Sequence, residues 1–187
     1  NVIRLIGSEW MLITAGKQDH YNTMTAAWGG IGFLWNLPVS YIFVRPQRYT
    51  YEFTEQYSKY SLCFFDKSYK DALMYCGRNS GRDVDKAKET KLSPFETPNG
   101  NIAFEEAKLI IECEKVYADD IKDDKFVSKL IKEKLYPEKL SICLHTSLAT
   151  ANSYPLSAQF TKKASRIRSN SARDRYLPDI PRLSTSA

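Results

Sequence analysis

The chain has 187 residues, 43% of them hydrophobic, 13% aromatic and 26% charged, the profile of one globular domain with a full core and room for a small extension. No apolar run approaches the roughly 20 residues of a membrane-spanning helix, and Asn1 to Gly16 lacks the basic flank, apolar core and cleavage site of a secretory signal. The formal charge of +5 is local: residues 1–139 hold 20 basic and 20 acidic side chains, whereas residues 140–187 hold 7 and 2, together with 9 of the 17 serines.

In chain order, Trp10 to Ala15 reads as a strand ended by Gly16, followed by a polar turn from Lys17 to His20. Tyr21 to Trp28 is a second β-like run, ending at Gly29-Gly30-Ile31-Gly32. Pro38 to Val44 is a third strand, apolar on both faces and therefore expected to be central. Arg45-Pro46 stops it, and Arg48 to Tyr57 reads as a helix with Tyr49, Phe53 and Tyr57 four apart. Ser61 to Phe65 is a short strand, and Tyr69 to Cys76 a short helix closed by Gly77. Ala107 to Cys113 alternates as a strand with Lys108, Ile110, Glu112 and Glu114 on its wetter face. Lys125 to Leu135 is an amphipathic helix burying Phe126, Leu130 and Ile131 before Pro137. After Lys139 the periodicities fade. Strands dominate without a βαβ rhythm, so the expected fold is mainly β, an antiparallel barrel with peripheral helices.

Three stretches carry chemistry. Asn22-Thr23-Met24-Thr25-Ala26-Ala27-Trp28 offers an amide, hydroxyls and backbone groups to a polar ligand, with Trp28 able to cover a planar ring; an edge strand with outward polar residues is the competing reading. Arg45, Arg48, Tyr49 and Thr50 stand where a strand passes into a helix, which suits an anion, because guanidinium groups and a helix N-terminus both favour phosphate; solvated arginines are the alternative. Asn79-Ser80-Gly81-Arg82-Asp83, with Lys86 beyond, can wrap a ligand through its flexible backbone or serve as a plain loop with a helix cap. No residue pattern marks a catalytic acid, base or nucleophile, as in an enzyme whose cofactor carries the reaction. The cysteines Cys63, Cys76, Cys113 and Cys143 form no CxxC pair and read as structural thiols of a reducing compartment. With only His20 and His145 besides, no metal site is expected.

The ordered series WMLITAG (Trp10–Gly16), YNTMTAAWGGIGFLW (Tyr21–Trp35), VRPQRYTYEF (Val44–Phe53), CGRNSGRDVDK (Cys76–Lys86) and AFEEAKLIIECEKVY (Ala103–Tyr117) resembles the flavin reductase-like, FMN-binding split-barrel family across residues 3–138. The resemblance implies an antiparallel Greek-key split β-barrel over residues 1–139, with FMN bound on the barrel at a homodimer interface. It implies that the strand Asn22–Trp28 contacts the isoalloxazine and ribityl chain, that Arg45, Arg48, Tyr49 and Thr50 hold the phosphate, and that the loop from Asn79 to Lys86 closes over the flavin. Ala27 stands where relatives often carry serine. Residues 140–187 form a divergent Ser/Arg-rich segment in which the relatives' closing strand is not found; Leu140 to Leu148 is expected to pack on the barrel and the rest to lie on its surface.

The implied function is that of a cytoplasmic NAD(P)H-dependent flavin oxidoreductase, with NAD(P)H as transient hydride donor and a redox partner or free flavin as acceptor. The alternative is a non-enzymatic FMN-binding electron carrier similar to flavoredoxin. Nucleic-acid binding by Arg166, Arg168, Arg173 and Arg175 ranks last, since they belong to no recognised module, and no membrane partner is expected.

Overall fold

The structure of the chain, a computed structural model, describes residues 1–136 and, for the backbone, 148–155. A helical turn, α1 (Val2–Arg4), runs into a wider turn at Leu5–Glu9 and leads to the first hairpin, β1 (Met11–Lys17) and β2 (His20–Ala26). A second hairpin follows, β3 (Gly29–Leu34) and β4 (Leu37–Ile42), then α2 (Tyr49–Gln56), β5 (Lys59–Phe64), α3 (Lys70–Arg78) and α4 (Lys86–Thr90). A small separate hairpin, β6 (Pro94–Glu96) and β7 (Ile102–Phe104), precedes β8 (Leu109–Tyr117), α5 (Lys129–Leu135) and β9 (Leu148–Pro155). Seven strands form one antiparallel sheet in the order β2-β1-β5-β8-β9-β4-β3.

The connectivity bends this sheet. Strands β2 and β3 are its opposite edges, yet only Ala27 and Trp28 join them. A flat sheet of seven strands would hold those edges about 29 Å apart, whereas the three Cα steps from Ala26 to Gly29 span at most about 11 Å. The sheet therefore curls until its edges meet at that corner, where Met11 Cε approaches to 3.2 Å of the place a Gly29 Cβ would take. Inside the curl Met11, Ile13, Met24, Ile42, Leu62, Phe64 and Ile111 form one core. Each such side chain contributes roughly 1.5–3 kcal/mol by leaving water. A second core lies outside β1, β5 and β8, where Leu12, Cys63 and Ile110 meet Leu73 and Cys76 of α3 and Phe104 of β7. Strand β1 is thus buried on both faces, which is why Met11 to Ala15 shows no polar alternation. At its end Gly16 has φ +127°, and a Cβ there would overlap His20 O; the two-residue turn that pairs Lys17 with His20 needs this glycine. The result is the expected mainly-β split barrel with peripheral helices.

Several boundaries differ from the sequence reading. The glycine run 29–32 is part of β3, whose turn at Trp35 and Asn36 has both residues at positive φ (52° and 57°), the geometry of a tight hairpin without its usual Asn-Gly signal. Helix α3 continues through Gly77 to Arg78, because Gly77 lets the helix approach β2: a Cβ there would lie 3.3 Å from Thr25 Cβ. Strand β8 begins two residues later than read, and Ile110 and Glu112, placed on its wetter face, are 1% and 4% exposed. The β6–β7 hairpin covers this face: Phe104 of β7 packs in the same core as Ile110, and Asn99 in the hairpin's connecting turn donates from Nδ2 to Glu112 Oε2. Helix α5 begins at Lys129 with Ser128 as its cap, and Leu130 and Ile131, expected to be buried, are exposed. A strand not read in the sequence, β9, is inserted between β8 and β4, so the sheet extends past the compositional change at Lys139. Residues 137–147 and 156–187, including most of the segment expected to pack on the barrel, lie outside the described residues.

Candidate functional site

Strand β2 is the spine of the site. Its register with β1 pairs Ile13 with Met24, so Asn22, Met24 and Ala26 share the barrel side, while Tyr21, Thr23 and Thr25 share the side toward α3. The threonine hydroxyls are used inside the protein. Thr23 Oγ1 lies 2.9 Å from Thr14 Oγ1 and 3.3 Å from the Ile13 carbonyl, and Thr25 Oγ1 donates to the Leu73 carbonyl of α3. Asn22 Nδ2 donates to Thr50 Oγ1 at 2.8 Å, which ties β2 to the first turn of α2.

Two clefts flank this spine. The larger, about 610 Å³, is lined by Met24, Thr25, Ala26, Ala27, Trp28 and Phe43 on one part, and by Arg45, Gln47 and Arg48 on the other. Trp28 is 42% exposed, and the Arg45 guanidinium stands 5.2 Å from the centroid of its ring. The slot is therefore apolar and aromatic along one wall and cationic where the chain enters α2. Arg48 is the N-cap position of that helix, and its Nη1 donates to the Gly77 carbonyl at the end of α3.

The smaller cleft, about 450 Å³, gathers Asn22, Thr23, Tyr49, Gly81, Arg82, Asp83 and Lys86 beneath the loop that follows α3. That loop is held tightly. Arg82 lies over the Tyr49 ring at 4.5 Å and pairs with Glu52, Ser80 carries its turn by accepting from Arg82 N at 3.2 Å, and Asn79 Nδ2 bonds back to the Tyr75 carbonyl at 3.0 Å. Lys86 Nζ donates to the carbonyls of Thr23 at 2.7 Å and Cys76 at 2.9 Å. Burial, with Arg48 adding to it and Cys76 opposing, brings this lysine down to about 8, and burial pushes the Cys76 thiol up.

The sequence-predicted residues thus divide between two clefts. Met24 to Trp28 meet Arg45 and Arg48, whereas Asn22, Thr23 and Tyr49 meet the Gly81–Lys86 stretch. Thr50 is fully buried and reaches a ligand only through Asn22, and Asn79 and Ser80 shape the loop without lining either cleft. Phe43 in the larger cleft and His20 in the smaller are lining residues outside the motifs, whereas Gln47, Tyr21 and Phe53 lie within the motifs but were not singled out as site residues. Phe43 could have been found from its place two residues before Arg45, just past the end of β4; the backbone carbonyls of Cys76 and Gly77 leave no trace in a sequence. Among the described residues no cluster of metal-ligating side chains occurs, and no helix is long and apolar enough to cross a membrane.

The profile of the flavin reductase like domain matches residues 3–133. The chain belongs to this family. No curated protein matches it at a significant level. Among solved structures, an FMN-binding protein from Thermus thermophilus with bound 1-cyclohex-2-enone superposes with a TM-score of 0.62 at 17% identity, over 79% of this chain and 70% of that one. Flavoredoxin from Methanosarcina acetivorans gives 0.61 at 19% identity, over 79% and 68%. Nitrilotriacetate monooxygenase component B from Bacillus cereus gives 0.61 at 15% identity, over 81% and 73%. At these identities the family's split-barrel fold is what is shared.

Proposed function

We propose that this member of the family binds FMN in the larger cleft and acts as an NAD(P)H-dependent flavin oxidoreductase. The observation that carries the reading is the pairing, in one slot, of an apolar wall (Met24, Ala26, Trp28, Phe43) with a cationic end (Arg45, Arg48). A flavin mononucleotide has the matching halves, a planar ring and a phosphate. The volume falls within the roughly 300–1,000 Å³ of small-molecule sites, and guanidinium forks suit phosphate oxygens.

In this reading Arg45 and Arg48 hold the phosphate at the start of α2, whose dipole adds to their pull. Trp28 flanks the ring, and the β2 backbone from Met24 to Ala27 addresses its polar edge. Ala27 has no hydroxyl, so it gives up one such contact, worth about 0.5–1.5 kcal/mol. Tyr49, Asn22 and Thr50 act behind this line, through the Asn22–Thr50 bond and the Arg82–Tyr49 stack. Bound FMN would supply the redox chemistry, taking a hydride from the nicotinamide and passing electrons to a redox partner or free flavin. A homodimer covers the exposed Trp28, Phe33 and Trp35, and the buried thiols Cys63, Cys76 and Cys113 suit a reducing cytoplasm.

Anaerobic stopped-flow mixing of the FMN-loaded protein with NADH and with NADPH tests the proposal. Fast bleaching of the flavin with either donor is expected. Slow bleaching with both assigns an electron carrier instead, and failure to retain FMN at all refutes the flavin reading.

A further inference from the structure

Lys86 opens α4 directly after its capping residue Asp85 and is only 6% exposed. Its ammonium rests on two backbone carbonyls, Thr23 of β2 and Cys76 of α3, and no carboxylate pairs with it among the described residues. A buried cation without a counter-ion is costly, and here the cost is offset by the two carbonyls. The Cys76 and Gly77 carbonyls belong to the last turn of α3, where backbone acceptors have no intrahelical donor. Lys86 takes the first and Arg48 the second, at 2.5 Å. Two like charges therefore sit on consecutive acceptors of one helix end, and only Arg48 also lines the larger cleft.

We propose that Lys86 is a positioning residue whose charge is linked to the anion held at Arg48, so that phosphate binding in the larger cleft is accompanied by proton uptake at Lys86. The linkage rests on the FMN reading above. Lys86 fixes the Thr23 carbonyl, between Asn22 of one cleft and Met24 of the other, and so sets the β2 backbone that addresses the ligand. Without an anion, burial and the charge of Arg48 hold the ammonium near 8. A phosphate on Arg48 removes that repulsion and raises the value. The bound state then carries more protons around this pH, so FMN affinity is at its full value below the free-state value and declines as pH rises through it. The second ionisation of a phosphate monoester has a pKa of about 6, so between about pH 7 and about pH 9.5 the phosphate charge changes little. Of the other groups facing Lys86, burial raises Cys76 on α3 and Tyr21 on β2 above ordinary thiol and phenol values, while Asp83 and Asp85 line the same cleft without pairing with it.

The test is equilibrium titration of the full chain with FMN and with riboflavin at about pH 7 and about pH 9.5, for the unaltered protein, Lys86→Arg and Lys86→Met. The expected result is an FMN affinity that falls about fivefold over this interval while riboflavin changes little. Lys86→Arg, charged throughout, should bind FMN with a flat profile, and Lys86→Met more weakly and also flat. Proton uptake on FMN binding near pH 8, measured calorimetrically in buffers of different ionisation enthalpy, checks the same claim without any variant. A flat FMN profile in the unaltered protein, a parallel fall for riboflavin, or the same slope in Lys86→Met overturns the linkage and leaves FMN binding intact. No FMN binding at either pH would sink the flavin reading and this inference with it.

Discussion

Replacing Gly81 by alanine tests how the loop after α3 is seated. A Cβ at this position would overlap Asn22 Oδ1, lie 2.9 Å from Asn22 Cγ and stand 3.4 Å from Tyr49 Cδ1. Asn22 cannot retreat freely, because it is 5% exposed and its Nδ2 is bonded to the buried Thr50 hydroxyl. Either that bond breaks, leaving buried polar groups unpaired, or the loop lifts and strains the Arg82 contacts to Tyr49 and Glu52. Losing a buried hydrogen bond in this way costs about 1–3 kcal/mol, which for a chain of this size lowers Tm by roughly 3–10 °C. Urea and thermal unfolding measure it. Gly32→Ala is the control, since nothing lies within 4 Å of a Cβ there, and its effect should be neutral or slightly stabilising. Asn22→Ala opens the contested space, so Gly81→Ala should cost about 1 kcal/mol less in that background than alone. A Gly81→Ala that destabilises no more than Gly32→Ala, or simple additivity with Asn22→Ala, would refute this seating of the loop.

Other outcomes follow from the same geometry. Arg45→Ala should weaken FMN about tenfold or more, the loss of one charge-assisted phosphate contact, and leave riboflavin nearly unchanged; equal losses by fluorescence titration would move Arg45 off the phosphate. A chain ended after residue 147 lacks β9 and separates β8 from β4, so circular dichroism should show no cooperative unfolding, whereas one ended after Pro155 keeps the strand and its transition. Sedimentation at micromolar concentration should show a flavin-loaded dimer, and Trp35→Glu, at 61% exposure, should shift it toward a monomer that still unfolds cooperatively, at a lower Tm; a flavin-loaded monomer in the unaltered protein would count against the dimer.

What was legible along the chain was whatever depends on near neighbours. The apolar runs of β1 and β5, the polar turn after Gly16, the spacing of Tyr49 and Phe53 on α2 and the balance of charge over residues 1–139 are all local. They point to a β-rich domain because side-chain periodicity responds directly to which face is buried. The ordered motifs led to the family for the same reason: each is a short stretch whose residues act together. The glycine-rich β3 escaped because its hairpin turn at Trp35 and Asn36 lacks the usual Asn-Gly signal, and β9 escaped because its place in the sheet comes from partners about forty residues away, Ile110 to Cys113.

Only the tertiary structure decided which polar groups remain for a ligand. By sequence, Thr23, Thr25 and Thr50 are equal candidates, yet all three hydroxyls are taken up by Thr14, Leu73 and Asn22. Arg45 and Lys86 are both basic residues within candidate motifs, but one stacks on Trp28 in an open cleft and the other is buried on two carbonyls. The division of one motif, Asn22 to Trp28, between two clefts likewise depends on where α3 ends and how the loop after it returns. A sequence records which donors and acceptors exist. Which of them are already satisfied is set by contacts between residues tens of positions apart, and those form only when the curled sheet and α3 pack together.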